Sequence, residues 1–149
     1  DVSKWDTSRV EDLSEMFKDS QVKELALSKW DTSRVEDMSE MFKDSQVKEL
    51  TISKWDTSKV ISMRRMFKGC QVKELDVRDW NTSQLRDMRE IFSDSQVKET
   101  DISNWDISHL EDFDLLNSFD DEFGMDLFDF EEMDKSLDKL LDEFDESEF

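Results

Sequence analysis

The chain has 149 residues, 40 of them acidic and 20 basic, for a formal charge of −20. That length holds one domain with a modest core, and that charge repels nucleic acid and anionic lipid while attracting something basic. The only cysteine, Cys70, and the only histidine, His109, leave no disulfide framework and no zinc cluster, and no run approaches the ~18 apolar residues of a membrane span.

A fixed 25-residue period organises the chain from its start. Trp5, Trp30, Trp55, Trp80 and Trp105 mark it, each inside a version of S-K-W-D-T-S-R-V-E-D-M-S-E-M-F-K-D-S-Q-V-K-E-L. A unit this short cannot bury its own apolar face, so stacking on neighbours must supply the core. Within a unit, Val22, Leu25 and Leu27 form L-x-x-L-x-L ahead of Trp30, the strand signature of a leucine-rich repeat. Val47, Leu50 and Ile52, then Val72, Leu75 and Val77, repeat it; the next copy keeps Val97 and Ile102 but places Thr100 between them. After each Trp, the spacing of Val10, Leu13, Met16 and Phe17 predicts one face of a short helix or of 3-10 turns. Ser8 with Glu11, and Ser33 with Glu36, form the capping box that would open it. The fold class expected is an α/β repeat solenoid over 1–112, followed by a separate acidic segment over 113–149.

W-D-T-S-x-V-x-x-M-x-x-M-F at 25-residue spacing resembles the BspA-like leucine-rich repeats of bacterial surface proteins, over about residues 1–112. The resemblance implies a β-containing solenoid of the kind borne by secreted or lipid-anchored proteins that act in adhesion. The turn S-Q-V-K-E stands where such proteins often have S-F-N-Q-D.

The recurring residues have structural duties first. The Trp ladder and the Met16/Phe17, Met41/Phe42, Met66/Phe67 and Ile91/Phe92 pairs are expected in the core. Asp6, Asp31, Asp56 and Asn81 are expected to form turns by bonding nearby backbone; a calcium ladder is the sharper alternative for them, but they lack a glycine-rich loop. Cys70 stands where other copies have Ser20, Ser45 and Ser95, a small buried position. Lys23, Lys48, Lys73 and Lys98 run beside Glu24, Glu49, Glu74 and Glu99 as a solvated face. No catalytic constellation is present, so neither an enzyme nor a cofactor is expected.

The third copy, residues 51–75, carries six bases against two acids. Arg64 and Arg65 with Arg86 and Arg89 of the next copy form an expected basic patch, either a dock for the acidic segment, an independent contact, or neutral drift. Residues 109–149 hold 17 acids and 2 bases, a net of −15, against 23 acids and 18 bases before them, a net of −5. Met133, Leu137, Leu140, Leu141 and Phe144 predict an amphipathic helix over 131–146. Part of 109–130 is expected to cap the last repeat. The remainder suits an acidic–hydrophobic interaction segment or a mimic of the phosphate backbone. Asp120, Asp121, Glu122, Asp126, Asp129, Glu131 and Glu132 are its candidate contacts, with Phe128 and Phe130 as apolar additions. The expected partner is a basic protein surface such as that of a nucleic-acid-binding protein, with no nucleic acid bound directly. An adhesin fragment with an extracellular partner is the alternative, and self-association of basic patch and acidic segment a third. The lone cysteine leans towards the cytoplasm, the resemblance towards the cell surface. The chain begins at Asp1 rather than Met, as a fragment or trimmed chain would.

Overall fold

A computed structural model of the chain describes residues 1–98 and 100–110. After a 3-10 turn at Val2–Lys4 come two short strands, β1 (Glu24–Ala26) and β2 (Glu49–Thr51), paired parallel with Leu25 opposite Leu50. A second parallel row passes through Asp12, Asp37, Ser62 and Asp87 as single bridges. Both rows join residues 25 apart, so each repeat lies against the next in unchanged register.

The backbone bonds explain why no longer strand is needed. The N–H groups of Leu13, Glu15, Phe17 and Asp19 donate to the carbonyls of Asp37, Ser39, Met41 and Lys43, at 2.8–3.0 Å. Met38, Glu40, Phe42 and Asp44 do the same to the third repeat, and Met63, Arg65, Phe67 and Gly69 to the fourth. Alternate N–H groups are thus satisfied by the neighbouring repeat, as backbone burial demands.

The apolar side chains line up in the same register. The Trp rings stack at centroid separations of 6.1–6.4 Å and the Phe17, Phe42, Phe67 and Phe92 rings at 5.6–5.7 Å. Phe17 also leans on Trp30, 5.8 Å away, which joins the two aromatic columns. Leu13, Met38, Met63 and Met88 form a third buried column, and Leu27, Ile52, Val77 and Ile102 a fourth. The first repeat is covered on one side only: Trp5, Met16 and Val22 are 53%, 39% and 48% exposed, whereas Trp30, Met41 and Val47 are buried.

Of the short helix or 3-10 turns expected after each Trp, the helix does not form. Over 10–20 the chain makes successive turns instead, with Met16 N–H bonded to the Leu13 carbonyl, Lys18 to Glu15 and Ser20 to Phe17. Glu15 and Asp19 sit at left-handed φ of 60° and 59°, and Glu40 and Asp44 both at 56°, which no helix tolerates. The capping box is absent for the same reason. Ser8 and Ser33 give their N–H groups to Asp6 and Asp31, two residues back. The helix expected over 131–146 lies outside the described residues, and no helix among those described is long and apolar enough to cross a membrane.

Gly69 occupies the left-handed position held by Asp19, Asp44 and Asp94 elsewhere, with φ of 69°. A Cβ there would run into the Asp44 carboxylate of the repeat below. Gly69→Ala is therefore expected to lower stability by about 1 kcal/mol, measured as a shift in the urea midpoint; an unchanged midpoint would show that the turn relaxes freely.

Candidate functional site

The W-D-T-S corner is where the sequence is most regular, and each residue has a distinct task. The indole N–H of Trp30 donates to the Val2 carbonyl at 2.9 Å; Trp55, Trp80 and Trp105 reach Leu27, Ile52 and Val77 in the same way. Each threonine is buried and bridges forward. Thr7 donates its hydroxyl to the Asp31 carbonyl at 3.1 Å and accepts the Asp31 N–H at 2.9 Å. Thr32, Thr57 and Thr82 donate to Asp56, Asn81 and Asp106. In the fifth copy this position is Ile107. Nothing in the sequence marks these threonines except their recurrence within W-D-T-S.

The aspartates of the corner point outward and bond locally, as expected of turn formers. Asp6 accepts the Ser8 N–H and hydroxyl at 3.1 and 2.7 Å. Asp56 and Asp106 take Ser58 and Ser108 identically, and Asn81 accepts the Ser83 N–H at 2.9 Å. These bonds hold the carboxyls of Asp6, Asp31 and Asp56 below their ordinary range, the serine hydroxyl contributing most. Neighbours oppose this slightly, since Asp31 pushes both Asp6 and Asp56 upward. The outcome is a row of exposed, ionised carboxylates, one per repeat and interrupted at Asn81. Among the described residues no group of three or more His, Cys, Asp or Glu is gathered as a metal would need.

A folded-state pKa lowered below 3.8 favours the folded chain above that pH and loses the benefit as pH falls through it. Melting temperature should therefore drop below about pH 4, and less steeply in Ser33→Ala with Ser58→Ala, which removes the hydroxyl bonds. Parallel profiles for the two proteins would show that other carboxylates govern acid sensitivity.

The four arginines fall in two neighbouring repeats. Arg64 and Arg89 hold equivalent, half-buried positions; Arg65 ion-pairs with Glu90, which Lys68 also reaches at 3.5 Å. Arg65 first, then Lys68, keeps the Glu90 carboxyl low. Arg89 grips Asp87 through two nitrogens; burial pushes the Asp87 carboxyl up, but the hydrogen bonds and charge of Arg89 with the charge of Arg64 together bring it below its ordinary range. Arg86 is exposed, while the buried Nε of Arg64 has no hydrogen-bond partner among the described residues. The patch is thus partly neutralised by acids of its own repeats, Asp87 from two residues away and Glu90 from the next repeat by stacking. Asp120, Asp121, Glu122, Asp126, Phe128, Asp129, Phe130, Glu131 and Glu132 lie outside the described residues.

Cys70 is buried, and burial pushes its thiol pKa up, away from reactivity. His109 is exposed.

The model of a family described as "Mycoplasma protein of unknown function, DUF285" matches residues 1–105 and 45–146. No curated protein and no solved structure matches the chain.

Proposed function

Because the chain belongs to the DUF285 family of Mycoplasma proteins, whose function is unknown, we propose from its geometry that it is a non-enzymatic binding protein that sets aligned carboxylates against a basic partner. The row of Asp6, Asp31, Asp56 and Asp106 carries this reading. Each is exposed and pinned by its own turn, so little side-chain freedom is lost on contact. In its sharpest form the protein imitates a phosphate backbone and blocks the groove of a cytoplasmic nucleic-acid-binding protein such as a defence nuclease. The acids over 113–149 would add charge to the same reading, and the repeats would form a scaffold of the leucine-rich-repeat-like solenoid kind.

Asn81 supplies the test, because it keeps the turn without the charge. Replacing Asp31, Asp56 and Asp106 by Asn should leave the fold intact and weaken binding of an oligo-arginine probe roughly tenfold at low salt. The salt dependence should become shallower as charges are removed. Equal affinity and equal salt slope for the two proteins would sink the carboxylate row as a contact surface.

A second reading, adhesion at the cell surface, draws on the W-D-T-S and M-F repeat that resembles BspA-like surface proteins. Antibody raised against residues 1–110 would label intact source cells under that reading. Labelling only after permeabilisation would favour the cytoplasmic one.

A further inference from the structure

The turns that follow each Trp change sign once along the stack. In the second repeat, residues 36–44 hold Glu36, Asp37, Glu40 and Asp44 against Lys43 alone, a net of −3. Residues 11–19 of the first repeat have the same balance, with Lys18 as the base. At the same positions of the third repeat, residues 61–69 hold no acid and the bases Arg64, Arg65 and Lys68, a net of +3. Ile61, Ser62, Arg65 and Gly69 stand where the second repeat has Glu36, Asp37, Glu40 and Asp44, and Arg64 stands where it has Ser39. Every one of these changes moves the charge in the positive direction, whereas drift on a solvated face moves it both ways. Residues 86–94 of the fourth repeat return to a net of −1.

Much of this positive charge is unanswered within the repeats. In the second repeat Lys43 pairs with Glu40 at 3.3 Å, and Lys18 reaches the same carboxylate at 3.6 Å. In the third, Arg65 and Lys68 share the single carboxylate of Glu90. Arg64 is left over. Among the described residues it has no ion pair, and its buried Nε has no hydrogen-bond partner, a costly state for a polar group held away from water. Asp87 stands two residues before Arg89 and is gripped by it, but the residue two before Arg64 is Ser62. The Ser62 hydroxyl lies 3.2 Å from that of Ser39 and offers no charge.

We propose that the turn at residues 61–69 is the docking surface for the chain's own acidic segment, with Arg64 receiving a carboxylate from residues 111–149. Charge selects the place, because that segment has 17 acids and 2 bases, and the corresponding turns of the first two repeats would repel it. Reach permits it. Leu110 lies two repeats from the start of this turn, about 10 Å along the stack, and ten extended residues span ~33 Å. Attachment to the same chain also holds the segment near the turn at a millimolar effective concentration, which an acidic partner in solution would have to exceed. Ile61, 41% exposed where the second repeat has Glu36, gives an apolar contact for a phenylalanine lying between the acids, such as Phe119 or Phe123. A few carboxylates satisfy this turn, and most of the segment's charge remains for a basic partner. The inference does not depend on the carboxylate row at the W-D-T-S corner.

Zero-length cross-linking of the full chain tests this, using Arg64→Lys to place an amine where the guanidinium stood. A carbodiimide then joins that amine to any carboxylate in contact with it, and mass spectrometry identifies the acid. The expected product links position 64 to an acid within residues 111–149, with a yield about tenfold above that of Ser39→Lys, the same position in an acidic turn. The yield should fall as salt screens the contact. Mixing chains of natural and heavy nitrogen should give links within one chain only. A second measurement needs no cross-link: Arg64→Ser, the residue of the first two repeats, should shift NMR amide signals within 111–149. The proposal is overturned by equal yields at positions 39 and 64, by links confined to Asp87 or Glu90, or by links between light and heavy chains. It is equally overturned if Arg64→Ser leaves every amide signal of 111–149 in place.

Discussion

Trp55→Ala is expected to lower unfolding free energy by about 3–5 kcal/mol, the range for a buried aromatic cut to a methyl. Trp55 stacks on Trp30 and Trp80 at 6.4 and 6.2 Å and is 4% exposed, so both faces of its ring lose a partner. Its indole N–H also satisfies the Leu27 carbonyl at 2.9 Å, and the truncation leaves that carbonyl without it. Nearest-neighbour coupling spreads the damage into the second and fourth repeats. Trp5→Ala is the internal comparison: that ring is 53% exposed and stacked on one side only, and its loss should be far smaller. Denaturant melts of the two variants decide the matter, and similar losses would mean that stacking, not burial, sets the cost.

Thr7→Val follows, with an expected loss of about 2 kcal/mol, the scale for stranding buried polar groups. Valine preserves the shape and deletes both bonds to Asp31, one donated by the threonine hydroxyl and one accepted by it. Leaving the part-buried Asp31 N–H and carbonyl without this partner costs more than the net value of the bonds themselves. Thr7→Ser restores the hydroxyl and should recover most of the loss. A serine variant as unstable as the valine one would assign the effect to the lost methyl contact instead.

These two residues also mark what sequence can and cannot convey. The Trp spacing, the Phe column and the buried serine position at Cys70 follow from hydrophobic period alone, because apolar residues have little choice but to meet their copies. The threonine bridges do not, since recurrence of Thr within W-D-T-S does not tell that its hydroxyl bonds the backbone of the following repeat. Of the helix and the turns expected after each Trp, the helix fails for a specific reason. Turns closed every three residues reproduce the spacing of Leu13, Met16 and Phe17, and the left-handed residues that divide them are Glu15 and Asp19, not glycine. Only Gly69, at the equivalent place in the third repeat, betrays that conformation. The arginine patch is visible as composition, and Asp87 lies two residues from the Arg89 it pairs with, but Glu90 becomes a neighbour of Arg65 only through stacking.

The register of the inter-repeat bonds has a consequence for how such a chain can change over generations. Forward bonds run from residue i to i+24, and the Trp bonds run back by 28. Removing or adding one whole repeat restores all of these pairings, whereas a slip of a single position breaks every one and turns core positions outward. The first two copies are nearly identical, so misaligned recombination between them yields products of the permitted kind. Viable descendants therefore differ in length by whole repeats, each moving the two ends apart by about 4.8 Å. Reach becomes a heritable quantity that changes in fixed steps, while the chemistry of each corner is left as it was.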